Sequence, residues 1–240
     1  MKNNLHPHVK PLLNTITQGD CVKLLERMPN DCVDFVLADP PYVARYTASD
    51  GRIVPNDRHV WLRSGMAAIY RVLRPDRFAV ITYSWAHGEK YLSAFRDAGF
   101  RFAGHLVFRK RYTSAVRYLA YQHDVAYLLA KGSPPIPEDP LSDVRDWDFT
   151  GNKLHPTQQP LSVLLPLIAA YSHPNDVVLD PFCGSGSALV AARRLGRNFI
   201  GFDIDPVYAR IAAARLSAHL RDASASADHG SLDANQRIRA

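Results

Sequence analysis

Cysteine is scarce in this sequence: Cys21, Cys32 and Cys183 are the three in 240 residues, with no Cys-x-x-Cys pair and no metal-ligand spacing. That excludes a disulfide framework or a zinc staple and fits a reduced, cytoplasmic compartment. Long apolar runs are missing as well. No segment approaches the ~20 consecutive apolar residues that a bilayer span requires, and Met1 to Lys10 lacks the apolar stretch of a secretion signal. Neither secretion nor membrane insertion is expected. Nor is there an acidic surplus: 23 Asp and Glu stand against 29 Lys and Arg, for a net charge of +6. A polyanionic partner suits that balance, although a few surplus cations identify nothing by themselves. A chain of this length can bury one core unaided, so one soluble domain is expected.

Short apolar runs ending in Asp or Gly alternate with segments of helical period, the pattern of an α/β fold with a mostly parallel sheet. Strands are predicted at Asn14 to Thr17, Asp34 to Ala38, Phe78 to Tyr83, His105 to Phe108, Val125 to Ala130, Val177 to Leu179 and Asn198 to Phe202. Helices are predicted at Cys21 to Arg27, Arg58 to Val72, Glu89 to Ala98, Leu161 to Tyr171, Ser187 to Leu195 and Pro206 to Ala218. Residues 131–154, with Pro134, Pro135, Pro137 and Pro140, read as an irregular connection. The organisation expected is an N-terminal extension over 1–13, a folded domain over 14–221 and a disordered tail over 222–240, where Ser, Ala, Asp and Asn dominate.

Two segments carry chemistry. The first is the strand Val177-Val178-Leu179-Asp180, followed by Pro181-Phe182-Cys183-Gly184-Ser185-Gly186-Ser187 and an amphipathic run. Glycines let the backbone turn sharply and approach a ligand, and the next helix offers its N-terminal amides. Asp203, nineteen residues beyond Gly184, is placed to hold two ribose hydroxyls. A dinucleotide fingerprint would need a third glycine where Leu189 stands, which argues against NAD or FAD. Asp180, ahead of the glycines, suits a ligand with a cationic amino group better than a pyrophosphate. Taken alone, a tight strand-to-helix turn of any α/β protein would look similar.

The second is Asp39-Pro40-Pro41-Tyr42, at the end of the run Asp34-Phe35-Val36-Leu37-Ala38. Two prolines stiffen the loop and remove two amide donors, so the Asp39 carboxylate and nearby carbonyls can face a ligand as acceptors. Accepting both protons of an exocyclic aromatic NH2 localises its lone pair on nitrogen and makes it nucleophilic. Tyr42 adds a face on which a base can stack, worth ~1 to 3 kcal/mol, comparable to the few kcal/mol needed to pull a base from a duplex.

These residues resemble the amino-methyltransferases that use S-adenosylmethionine to methylate N6 of adenine or N4 of cytosine in DNA. The order is that of the permuted beta class, with Asp-Pro-Pro-Tyr ahead of Asp-Pro-Phe-x-Gly-Ser-Gly. The resemblance takes in Gly19-Asp20, Gln122-His123-Asp124, His155-Pro156-Thr157-Gln158-Gln159-Pro160 and Phe199 to Arg215 with Tyr208, and so spans about Asn14 to Leu216. The family usually has Lys where Gln159 stands, often Glu at Asp203 and often Thr at Ser187.

The resemblance implies a Rossmann-like methyltransferase fold, a mostly parallel seven-stranded sheet with one antiparallel strand and helices on both faces. It also implies that the two motif strands lie side by side with their loops at the carboxyl edge. By the same resemblance Asp39, Pro40, Pro41 and Tyr42 are catalytic, Asp180, Gly184, Gly186 and Thr157 bind the methionine part of S-adenosylmethionine, and Phe182 is also cofactor-binding. Asp203 takes the ribose and Asp20 lies near the adenine. The Gly184 and Gly186 amides are expected to face the ligand. The activity implied is N6-adenine methylation of double-stranded DNA, since Asp opens the motif most often in adenine enzymes while N4-cytosine enzymes often carry Ser. N4-cytosine methylation is the near alternative, and a non-catalytic nucleic-acid-binding module the distant one. RNA or protein-glutamine methylation fits the motif order less well. Cytosine C5 chemistry needs a nucleophilic cysteine, typically after proline, and none of the three cysteines follows one.

Residues 101–121 hold Arg101, Arg109, Lys110, Arg111 and Arg117 and no acid, interleaved with Tyr112, Tyr118 and Tyr121. Such a segment can track phosphates and stack on or wedge between bases; a solvated loop is the plainer reading. Arg45, after Tyr42, is a second candidate DNA contact. Between Tyr42 and His155 lie 112 residues, mostly assigned to strands and helices, which leaves little room for a separate recognition domain. Specificity is therefore expected from short loops, with a homodimer as one way to enlarge the contact surface.

Overall fold

The computed structural model describes residues 6–41, 60–155 and 157–218, together with the backbone of 46–47 and 53–54. The elements in chain order are β1 (Thr15–Gln18), α1 (Cys21–Glu26), β2 (Val33–Ala38), β3 (Tyr46–Thr47), β4 (Ile53–Val54), α2 (Val60–Val72), β5 (Leu73–Thr82) and α3 (Gly88–Ala98). There follow β6 (Arg101–Lys110), β7 (Ala115–Val116), β8 (Ala120–Tyr121), β9 (His123–Lys131), β10 (Val144–Trp147), α4 (Leu161–Tyr171), β11 (Val177–Asp180), α5 (Ser187–Arg194) and β12 (Asn198–Asp203). A last helix, α6, covers 206–218. The expected tail at 222–240 lies outside the described residues.

The main sheet runs β1-β12-β11-β2-β5-β9-β6-β10. Strand β9 is antiparallel to both neighbours, and every other pairing is parallel. The single antiparallel strand is as expected, but among the described residues the sheet has eight strands and not seven. The eighth, β10, arises inside the stretch read as irregular: the prolines end at Pro140, and Val144–Trp147 then pairs with Val107 to Lys110. Trp147 anchors it against Phe108, with ring centroids 5.7 Å apart.

Two motif strands separated by about 140 residues of chain lie side by side, with Val178 opposite Phe35 and Leu179 opposite Val36. Strand β2 is buried along its whole length, as a central strand covered on both faces must be. Its alternation sorts the two cores. Val36 and Ala38 face α1, α2 and α3 with Leu25, Met66, Ile69 and Phe95, whereas Phe35 and Leu37 face α4, α5 and α6 with Leu167, Leu189 and Leu216. Val9, within the expected N-terminal extension, is fully buried in the first of these cores.

Asp34 is the exception in that apolar strand. Its carboxylate is fully buried, lies 2.5 Å from Arg74 and 3.6 Å from Arg77, and accepts from the Val177 amide at 2.9 Å. It ties β2 to both neighbours at the edge away from the motifs. Asp34→Ala is expected to cost about 3 kcal/mol, the low end for a broken buried pair because Arg74 and Arg77 retain 21% and 31% exposure and can rehydrate. In a domain of this size that is a fall of roughly 6 to 12 °C in the melting temperature, read by thermal unfolding.

Candidate active site

Parallel strands β2, β11, β12 and β5 end at one edge of the sheet, and their last residues define the site. Asp39 follows β2, with Pro40 buried behind it. Thr82, the last residue of β5 and 4% exposed, donates its hydroxyl to Asp39 Oδ1. Tyr91 of α3 is fully buried beneath them, and its hydroxyl has no hydrogen-bond partner among the described residues. Burial, and then the Asp39 charge, hold that hydroxyl firmly protonated. Tyr42 and Arg45 lie outside the described residues.

Asp180 closes β11 and is 6% exposed, accepting from the Phe182 amide at 3.1 Å. Burial first, and then the charges of Asp39 and Asp203, hold its carboxyl well above the ordinary range. The turn that follows differs from expectation in one respect. The Gly184 amide donates to Asp203 Oδ2 at 2.8 Å, and the Gly186 amide to the Cys183 carbonyl at 2.7 Å. Both amides are consumed within the protein, so these glycines serve by conformation and small size. Gly184 has φ +49°, and a β-carbon there would come within 3.3 Å of the His155 ring. The missing third glycine has a counterpart across the interface: Leu189 packs where Gly201 of β12 offers no side chain, which lets α5 approach the sheet closely.

Asp39, Thr157, Asp180, Phe182 and Gly184 line one cleft, joined by His155, Gln159, Cys183, Ser185 and Ser187. Five of the residues expected from two distant motifs and the His-Pro-Thr segment therefore converge. Thr157 is fixed by His155, whose Nδ1 lies 3.2 Å from its amide and 3.1 Å from its hydroxyl; the His155 ring is held edge-on against Tyr208 at 4.3 Å. Phe182 packs on Trp61 of α2, ring centroids 5.2 Å apart. Asp203 lies behind the turn, accepting from the Gly184 and Asp205 amides, each at 2.8 Å. A carboxylate has about four lone-pair sites, so hydroxyl recognition there remains compatible. Asp20 caps α1 through the Lys23 amide at 3.2 Å, one residue from Gly19, whose amide bonds the Asp203 carbonyl.

All three thiols are held protonated. Burial raises Cys183, which lines the cleft, and pushes Cys21 to about 12 and Cys32 to about 11. No thiolate is offered for attack on a ring carbon.

The basic residues have more structured surroundings than the sequence indicates. Arg109 and Arg111 both pair with Asp146, at 2.7 and 3.0 Å, and hold its carboxyl below the usual range. Lys110 is turned inward, 11% exposed, 2.6 Å from Asp124 and between the Tyr112 and Trp147 rings. Arg117 is exposed at the bend between β7 and β8. Sequence reasoning missed Thr82, because a Thr at a strand end has no motif; only the strand pairing brings it to Asp39. Gln159, noted for its departure from Lys, lines the cleft as a neutral amide.

The family model described as DNA methylase, covering N6-adenine and N4-cytosine enzymes, matches residues 33–214. The chain belongs to this DNA methylase family. "Putative methylase YubD" of Escherichia coli (strain K12) is 44% identical over 207 residues, which is 86% of this chain and 91% of that one. The fold is shared with the M1.HpyAVI–SAM complex (TM-score 0.67, 23% identity, 84% of this chain and 98% of that one). It is shared equally with the cytosine-N4-specific PvuII DNA methyltransferase (TM-score 0.68, 19% identity, 82% and 84%).

The methylase is a DNA methyltransferase dependent on S-adenosylmethionine. Its cleft fits that cofactor on chemical grounds: Asp180, a buried carboxyl in its lining, is held well above its ordinary range where a cationic ligand would favour the ionised form. Among the described residues no helix is long and apolar enough to cross a membrane.

Proposed function

We propose that the methylase acts on N6 of adenine in double-stranded DNA, on a base swung out of the helix. The observation that carries this reading is the identity and support of Asp39: a carboxylate, not a serine hydroxyl, opens the motif, and Thr82 fixes its orientation. Asp39 and the Pro40 carbonyl hold the two protons of the amino group, Pro41 stiffens the loop, and Tyr42 stacks on the base. Asp39 then accepts a proton as the methylated nitrogen loses its charge. Holding nucleophile and acceptor at ~3 to 3.5 Å supplies on the order of 7 to 11 kcal/mol, so no covalent enzyme intermediate is required.

Bound S-adenosylmethionine supplies an activated methyl group open to direct displacement. Asp180, Phe182, Thr157 and the glycine turn at Gly184 and Gly186 hold its methionine end, Asp203 its ribose and Asp20 a place near its adenine. Arg109, Arg111 and Arg117 face the phosphates; Lys110, being inward, acts by stiffening their strand. Arg45, three residues after Tyr42 in the chain, contacts DNA. A homodimer enlarges the DNA surface, and the protein works in the cytoplasm.

The test is expression in a host free of DNA methylation, followed by nucleoside mass analysis of its DNA and mapping of modified bases. N6-methyladenine at one short sequence is the expected result. N4-methylcytosine would move the target to cytosine, and unmodified DNA from well-expressed protein would count against methyl transfer.

A further inference from the structure

Beyond the carboxyl edge, strands β7 and β8 form a small hairpin whose construction is out of keeping with a solvated loop. Ala115 pairs with Tyr121 and Val116 with Ala120, and the bend is closed by the Arg117 amide on the Leu119 carbonyl at 3.1 Å. At its tip Tyr118 is 99% exposed, Val116 75% and Leu119 68%. Apolar groups gathered at a protruding point and covered by nothing among the described residues mark a contact surface.

The base of the hairpin is fixed. Tyr121 stacks on Trp85, centroids 5.5 Å apart and planes 24° from parallel. Trp85 stands three residues after Thr82, whose hydroxyl holds Asp39. The base of the hairpin is therefore tied to the segment that follows the strand end holding the acid that meets the target base. Charge suits a polyanion: Arg117 is exposed at the bend itself, and Arg109 and Arg111 behind it share the single carboxylate of Asp146, which leaves that surface net positive. A duplex whose base is drawn toward Asp39 passes beside this hairpin and is left with a base-sized gap.

We propose that Tyr118 and Leu119 enter the base stack and fill the gap left by the flipped base, with Arg117 on the adjacent phosphate. This rests on the methyl-transfer reading above and goes beyond it by naming the element that opens the duplex. Because Tyr118 touches little of the protein, its removal leaves the fold intact.

The experiment compares the parent with the Tyr118→Ala/Leu119→Ala double variant on two duplexes bearing the mapped sequence. One has the target paired; in the other it stands opposite an abasic site, where little unpairing is needed. On the paired duplex the variant should lose on the order of 10- to 100-fold in kcat/KM, the scale of one unstacked step. On the abasic duplex it should recover to within about threefold of the parent, since the opening is already made. Tyr118→Trp should remain active on both, and 2-aminopurine at the target should brighten with the parent and not with the double variant. Equal activity of parent and variant on the paired duplex would overturn the wedge. An equal loss on both duplexes would also overturn it, by reducing the tip to a binding contact. A parent inactive on every DNA would overturn the methylation reading and the wedge with it.

Discussion

Asp39→Ala is expected to lower methyl transfer by on the order of 10³-fold while the protein still binds S-adenosylmethionine. Asp39 lines the cofactor cleft but has the Thr82 hydroxyl as its anchor, so its removal takes away the amino-group acceptor without dismantling the Asp180 side. The measurements are tritiated-methyl incorporation into DNA and the thermal stabilisation given by the cofactor. Loss of both together would instead assign Asp39 to cofactor binding. Thr82→Val tests the same geometry more finely, because valine keeps the shape and deletes the donor. A hydrogen bond to a charged group is worth about 1.5 to 3 kcal/mol, so kcat should fall roughly 10- to 100-fold with KM for DNA little changed. Thr82→Ser, which restores the hydroxyl, should recover most of it. A variant equal to the parent would show that Asp39 needs no such support.

That two-residue arrangement also marks the boundary of what the sequence discloses. Asp39-Pro40-Pro41-Tyr42 and the Asp180 to Ser187 turn are legible because their chemistry is written in consecutive residues: acids at strand ends, prolines that remove donors, glycines that permit positive φ. The alternation of cores along β2 is legible for the same reason, being a local period of two. Contacts that depend on which strands become neighbours are not. Thr82 meets Asp39 because β5 pairs with β2 in a register that sets Ile81 beside Ala38. The Gly184 amide turns to Asp203 because β12 lies beside β11. Strand β10 was hidden by the prolines before it, and it brings Asp146 to Arg109 and Arg111, changing two nominally free cations into an ion-paired surface. Lys110 illustrates the limit most clearly. By composition it belongs to a basic patch, yet β6 alternates its side chains, so it points inward to Asp124 while its two neighbours stay at the surface.

The second large effect concerns Asp180, where burial and function oppose one another. With its folded-state value raised above that of an unfolded carboxyl, Asp180 contributes stability that is fully present below the unfolded value and lost as pH rises through the raised one. Asp203 is shifted in the same direction, by burial first. The protein without cofactor should therefore lose stability as pH climbs from the ordinary carboxylate range toward neutrality. A cationic ligand reverses the preference, favouring the ionised carboxylates, so its binding should tighten over that same interval and release protons within it. The stabilisation given by S-adenosylmethionine is expected to be larger at about pH 7 than at about pH 5, measured by thermal shift in matched buffers. Asp180→Asn separates the two roles, because the amide can still accept from Phe182 but carries no charge. It should raise the melting temperature of the cofactor-free protein at neutral pH, by relieving the desolvation penalty. It should also weaken S-adenosylmethionine binding on the order of 10- to 100-fold and flatten its pH dependence. A merely structural Asp180 would give the opposite first result, a less stable protein, with the cofactor's pH dependence unchanged. The direction of that stability change is thus the sharpest measure of whether the cleft was built around a cation.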